Sequence, residues 1–312
     1  MNVLVTGGAG FIGSHVVDAL LVEKHRVTVL DNFSSGKKEN VAARCLPVEG
    51  DVRDPDVVDH CMRGQNVAFH LAAFSSVPQS VEDPETCIET NVTGTRHVLE
   101  SACRAGASRI VFASTSAVYP GFPDTPKDEA EAPEPKSPYA ESKLEGEKLL
   151  RWFYERNGLG YVSFRYFNVY GPRQDVESEY AAVIPLFILR SLAGATLIID
   201  GDGRQSRDFV YVGDVVRANL RAMETTACGV FNVGTGWAVS VVELADRIVR
   251  RIGSRSGLRF GPSRRGDVRS STADIRSISS TLGWSPEWSL DDGLTATIDW
   301  FRSQERVLFN RS

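Results

Sequence analysis

The chain has 312 residues, 42% apolar and 24% charged, with 40 acidic against 35 basic side chains and a formal charge of −5. That balance suits a globular protein of one large or two modest domains, and it lacks the Lys/Arg runs that follow a phosphate backbone, so nucleic acid is not an expected partner. Apolar stretches stop short of a membrane span and no basic leader precedes a signal-like segment, so no membrane contact and a cytoplasmic location are expected.

In chain order, Val3–Val5 predicts a strand, Phe11–Glu23 a helix, Val27–Leu30 a strand, Val57–Met62 a helix and Val67–His70 a strand. Pro84–Ala105 predicts a long helix and Arg109–Ala113 another strand. Short β-branched runs alternating with helical patterns mean βαβ units, hence an α/β, doubly wound (Rossmann) parallel sheet covered on both faces. Ser137 reads as an N-cap with Pro138 in the first turn, opening a helix to about Asn157, and Tyr161–Tyr166 is a further strand. Beyond Asn168 the rhythm gives way to shorter elements and turns such as "DGDGRQ" and "GTGW". Residues 1–170 are therefore expected to form the dinucleotide-binding domain. Residues 171–312 should form a smaller mixed α/β region, interleaved with that sheet and placed over its carboxyl edge, where such sheets leave a ligand crevice. The Pro-rich acidic stretch 120–138 reads as a loop. Five scattered cysteines read as reduced core residues, and five histidines show no ligand spacing, so no metal is expected.

"VLVTGGAGFIGSHVV" sets Gly7, Gly10 and Gly13 at three-residue intervals, with Phe11 and Ile12 between them, where a strand turns into a helix. Glycines there permit a tight turn, close approach of a pyrophosphate and close helix–strand packing, with the anion at the helix N-terminus. Asp31, followed by Asn32, ends the second strand where a carboxylate accepts from ribose hydroxyls and repels a 2′-phosphate, which favours NAD over NADP. Asp51, followed by Val52, is a candidate partner for the adenine.

Tyr139 and Lys143 are four apart on one helix, so they share a face, and an ammonium there would lower the phenol toward a working range for proton exchange. "ASTSAVYP" (113–120) places Ser114, Thr115 and Ser116 at a strand end. A glycine turn, a hydroxyl-bearing strand end and a Tyr/Lys helix in this order resemble the extended branch of the short-chain dehydrogenases/reductases. The resemblance implies that Ser116, before "AVY", bonds the hydroxyl under attack, that Ser114 lies nearer the nicotinamide, and that Thr115 packs. It also implies that Tyr139 and Lys143 meet the nicotinamide and its ribose, that Leu71, Ala72 and Ala73 of "HLAA" pass along that ribose, and that Asn91 of "NVTGT" supports the site.

Within that branch the chain resembles UDP-hexose and UDP-N-acetylhexosamine 4-epimerases. Ala117 and Val118 stand where related dehydratases carry an Asp-Glu pair and decarboxylases a Glu, so elimination lacks its acid/base. "RYFNVYGPRQ", "EYAAVIPLF", "GDGRQSRDFVYV" and "RRGDVRSSTAD" resemble segments that hold the UDP-sugar, which implies contacts from Asn168, Val183, Arg207 and Arg264, the arginines facing the diphosphate. Ser271 falls where a bulky Tyr closes the pocket against a C2 acetamido group, so UDP-GlcNAc and UDP-GalNAc are expected substrates, with UDP-Glc and UDP-Gal beside them. The implied reaction passes through a 4-keto sugar with NAD regenerated each cycle. Alternatives are a UDP-glucuronate 4-epimerase, a sugar-nucleotide dehydrogenase or reductase that releases its product, and a non-catalytic NAD-binding protein. Pro120 and Phe74 depart from the family's Gly and polar residue beside the sugar. The helices at 84–105 and 138–157, with Ile88, Val92, Leu99, Leu144, Leu149 and Trp152, imply a homodimer interface.

Overall fold

A computed structural model of the chain describes residues 1–176, 182–263 and 268–309. β1 (Asn2–Thr6), α1 (Phe11–Val22), β2 (Arg26–Asp31), β3 (Leu46–Glu49), α2 (Pro55–Met62) and β4 (Val67–His70) come first. α3 (Val77–Glu82), α4 (Pro84–Ile88), a π turn over Glu89–Thr93, α5 (Gly94–Ala105), β5 (Arg109–Thr115), α6 (Pro138–Asn157) and β6 (Gly160–Tyr166) follow. The long helix expected over 84–105 is α4 and α5 joined through the π turn, and α3 ahead of it went unread. The second half holds β7 (Asn168–Tyr170), α7 (Val183–Leu192), β8 (Leu197–Asp200), β9 (Ser206–Tyr211), α8 (Val212–Glu224) and β10 (Gly229–Val233). β11 (Ala238–Ser240), α9 (Val241–Ile252), β12 (Leu258–Gly261), β13 (Ser270–Ser271), α10 (Arg276–Leu282) and α11 (Leu290–Phe309) complete it.

Seven strands form one parallel sheet in the order β10-β6-β5-β4-β1-β2-β3, a Rossmann arrangement extended at one edge by a strand from the second half. Helices cover both faces, which is why Val3, Leu4 and Val5 are all buried instead of alternating. On one face Val16, Val17 and Leu20 of α1 share a core with Val215, Ala218 and Ala222 of α8. On the other, Met62 of α2, Leu99 of α5 and Leu150 of α6 pack together. A separate core under α7, α9 and α11 unites Ile184, Phe187, Leu244, Ile248 and Ile298.

Local chemistry sets the helix that matters most for the site. Ser137 Oγ accepts the Ala140 N–H at 3.2 Å with Pro138 in the first turn, a cap worth about 1 kcal/mol, and Gly158 ends α6 at φ +70°. No helix among the described residues is long and apolar enough to cross a membrane.

Candidate active site

Gly7 leaves β1 at φ +70° and its N–H donates to Leu30 O at 2.8 Å. A Cβ on Gly7 would lie 2.6 Å from Ala72 N, and one on Gly13 would lie 2.0 Å from Gly7 O, so neither position admits a side chain. The turn opens onto a cleft of about 230 Å³ at the N-terminus of α1, lined by Gly7, Gly10, Phe11, Ile12 and Gly13 and, opposite, by Leu71, Ala72 and Ala73. Asp31, Asn32 and Val52 close its far end. Asp31 is buried, one oxygen accepting Ala9 N–H at 2.9 Å and the other Phe33 N–H at 2.8 Å, which fixes the carboxylate at the cleft wall. Asp51 is differently engaged: Arg53 clamps it through Nε (3.0 Å) and Nη2 (2.9 Å), and Asn32 Nδ2 donates to it at 2.9 Å. Those bonds hold its carboxyl at about 2, and the cleft is lined by its neighbours Gly50 and Val52.

At the carboxyl end of β5 the side chains separate by strand parity. Ser114 follows the Phe112 face, under α6, where its hydroxyl donates to Glu147 Oε1 at 2.5 Å. Arg165 completes a buried ion pair with Glu147 through Nε (2.9 Å) and Nη2 (2.7 Å). Ser114, expected nearer the nicotinamide, is thereby held under α6 and does not line the dinucleotide cleft. Thr115 follows the face of Ala113, which lines the dinucleotide cleft, and it is the Thr115 hydroxyl that lies near the Tyr139 phenol. Ser116 lies past the strand end, as the first residue of a 3₁₀ turn (Ser116–Val118) capped by Thr115 Oγ1 on Ala117 N–H at 3.1 Å. The hydroxyl at the phenol is therefore Thr115, where the sequence pointed to Ser116.

Burial raises the Tyr139 phenol to about 12, with the Thr115 hydroxyl pulling the other way, so desolvation outweighs the lowering expected from Lys143. Lys143 is 3% exposed, its ammonium 4.9 Å from the Phe112 ring centroid, and burial brings it down to about 8. His70 is buried between Thr6 Oγ1 (2.7 Å) and Thr95 Oγ1 (2.9 Å) and is held near 3, a neutral imidazole that builds the wall instead of moving protons. Asn91 sits in the π turn, whose extra residue turns it inward: Nδ2 donates to Ser142 Oγ (2.9 Å) and Phe74 O (3.0 Å), and Oδ1 accepts Phe74 N–H (2.8 Å). It thus ties the segment after β4 to Ser142 of α6.

A second cavity, of about 250 Å³, lies among β7, α7, β8 and β9 and brings together Asn168, Val183 and Arg207. Ser271 of β13 stands in register with Arg207 of β9. Thr115 pairs with Tyr166 across the sheet, so Asn168, two residues further along, sets this cavity beside the Thr115–Tyr139 pair. Arg264 lies outside the described residues.

A family model described as the NAD dependent epimerase/dehydratase family matches residues 3–234. The chain belongs to that family. It is 41% identical over 307 residues to a putative UDP-glucose 4-epimerase of Methanocaldococcus jannaschii, covering 98% of this chain and 100% of the relative. Its fold matches a UDP-glucose 4-epimerase of Thermotoga maritima solved with UDP-glucose, at TM-score 0.95 and 42% identity over 98% of this chain and 100% of that one. A UDP-N-acetylglucosamine 4-epimerase of Methanobrevibacter ruminantium in complex with UDP-N-acetylmuramic acid matches at TM-score 0.94 and 40% identity, covering 97% and 98%. NAD is the cofactor of the family, and this cleft fits it: a glycine turn too tight at Gly7 and Gly13 for any Cβ, a helix N-terminus for the pyrophosphate and the Asp31 carboxylate at the ribose end.

Proposed function

We propose that this protein inverts C4 of a UDP-hexose through a transient 4-keto sugar, accepting UDP-GlcNAc and UDP-GalNAc as well as UDP-Glc and UDP-Gal. The observation that carries the reading is the Thr115 hydroxyl beside the Tyr139 phenol, on the helix of buried Lys143, with the dinucleotide cleft on one side and the Asn168/Arg207 cavity on the other. Bound NAD supplies reversible acceptance of the C4 hydrogen. Tyr139, in its phenolate form, takes and returns the C4 hydroxyl proton, and Thr115 orients the oxygen that loses it. Lys143 carries positive charge at neutral pH one helical turn along from the proton-exchanging phenol, and Asn91 holds the backbone around them. Arg207, Asn168 and Val183 hold the UDP, leaving the hexose to face Thr115.

The two residues after Thr115 are Ser116 and Ala117, one position earlier than the pair considered from sequence, and neither is a carboxylate. Elimination across C5 and C6 therefore lacks its acid/base at these positions too. Ser271, small and in register with Arg207, supports room for an acetamido group. Two copies would pair through α4–α5 and α6, where Ile88 and Trp152 are 51% and 46% exposed. Leu99, expected at that seam, is instead fully buried against the sheet. The deciding experiment incubates purified protein, without added NAD, with UDP-GlcNAc and with UDP-Glc and follows C4 inversion by NMR. Inversion of both supports the whole reading, inversion of UDP-Glc alone removes the acetamido claim, and inversion of neither after NAD is supplied removes the epimerase.

A further inference from the structure

Asn232, in β10, is fully buried, and its polar groups point to three different parts of the active-site region. Its Oδ1 accepts the Tyr119 hydroxyl at 2.7 Å, and its Nδ2 donates to Lys127 O at 2.7 Å and to Asp274 O at 3.1 Å. Its backbone N–H donates to Glu129 Oε1 at 2.7 Å. Carbonyls can only accept, so the amide has one orientation that satisfies all its partners. Tyr119 directly follows the 3₁₀ turn that Thr115 caps, Lys127 and Glu129 belong to the loop before α6, and Asp274 lies just past Ser271.

The three parts also bind one another around it. Lys127 N–H donates to Thr272 O at 2.8 Å and Asp274 N–H to Lys127 O at 2.9 Å, a short ladder between loop and strand. The Lys127 ammonium is buried on Pro123 O (2.9 Å) and Glu131 (3.2 Å), and the Arg165 guanidinium lies 4.8 Å from the Tyr119 ring centroid. None of Asn232, Tyr119 and Lys127 lines the dinucleotide cleft or the Asn168/Arg207 cavity.

We propose that Asn232 is a positioning residue for the reaction: it latches the loop before α6 to the Ser271 strand and to the Thr115 turn, and so sets the wall against which the hexose is held. The proposal rests on the UDP-hexose reading above. UDP and NAD bind in cavities that Asn232 does not touch, so losing the latch disorients the sugar and leaves both nucleotides in place. Misplacement of a reacting group by about 1 Å costs up to roughly 10²-fold in rate.

The test uses Asn232→Asp, which keeps the acceptor toward Tyr119 but sets an oxygen against two carbonyls, and Tyr119→Phe, which deletes one hydroxyl from the latch. In both, retained NAD per chain and the inhibition constant of UDP stay within about twofold of wild type, while kcat for C4 inversion falls about tenfold or more in the first variant and less in the second. Unchanged kcat in both overturns the proposal, as does a parallel loss of NAD, UDP affinity and kcat, which marks a merely structural residue. If Asn232→Asp does not fold, Tyr119→Phe decides by the same criteria. Wild-type protein inert toward every UDP-hexose sinks the underlying reading and this proposal with it, whereas active wild type with unaffected variants sinks this proposal alone.

Discussion

The Thr115 hydroxyl lies beside the Tyr139 phenol where the end of β5 reaches the first turn of α6, close enough to act on the phenol's proton. Removing that hydroxyl should cost kcat of C4 inversion about 10²-fold, the scale of a donor that stabilises developing charge. Thr115→Val is the test, Thr115→Ser should restore most of the rate, and Ser116→Ala should stay within a few-fold of wild type. A larger loss from Ser116→Ala than from Thr115→Val would return the role to Ser116.

Lys143, lowered to about 8 by burial, is charged below that pH and neutral above it. If its charge supports the phenolate, kcat/KM should fall as pH rises through about 8. Lys143→Arg, whose guanidinium keeps its proton, should lose that alkaline limb while running at a lower rate throughout. A limb that persists in the arginine variant assigns it to another group.

His70 ties pH to stability. Its usual value of 6.5 is lowered to about 3, first by burial and then by the nearby Lys143 charge. Between those values the unfolded chain holds a proton that the folded chain refuses, so stability rises with pH across the window and is lost as pH falls below 6.5. The full shift corresponds to about 5 kcal/mol at 1.36 kcal/mol per unit. Urea midpoints measured from pH 7 to pH 4 should drop steadily, and His70→Gln should flatten that slope; equal slopes would show that other groups dominate.

Ser271 beside Arg207 predicts selective loss. Ser271→Tyr should reduce turnover of UDP-GlcNAc at least tenfold more than that of UDP-Glc, since a hydrophobic or steric fit of this size discriminates by about 1–3 kcal/mol. Equal loss on both substrates would remove the gate.

The parts of the site legible in sequence were those written in local spacing: the three glycines, the acid at the end of the second strand, the Tyr139/Lys143 spacing and the Ser137 cap. The choice between Ser116 and Thr115 turns on a single residue of strand length. Counting alternation from Ala113, on the cleft side, would have placed Thr115 there and Ser114 beneath α6. The inward turn of Asn91 depends on a π turn that helical periodicity does not reveal. Asn232 was invisible for a different reason, since its side-chain partners are 42 to 113 positions away along the chain and no window joins them.

The placement of α8 and β10 has a consequence for synthesis. The face of the sheet on which Val16, Val17 and Leu20 lie is capped by residues beyond 212, and the edge of β6 stays unpaired until residue 233 has been made. A chain emerging from the ribosome must therefore carry an uncovered apolar face and an open strand edge through the translation of more than sixty residues after β6, a state prone to association with other nascent chains. A fragment ending at residue 170 should be insoluble by centrifugation, whereas the full chain stays in solution.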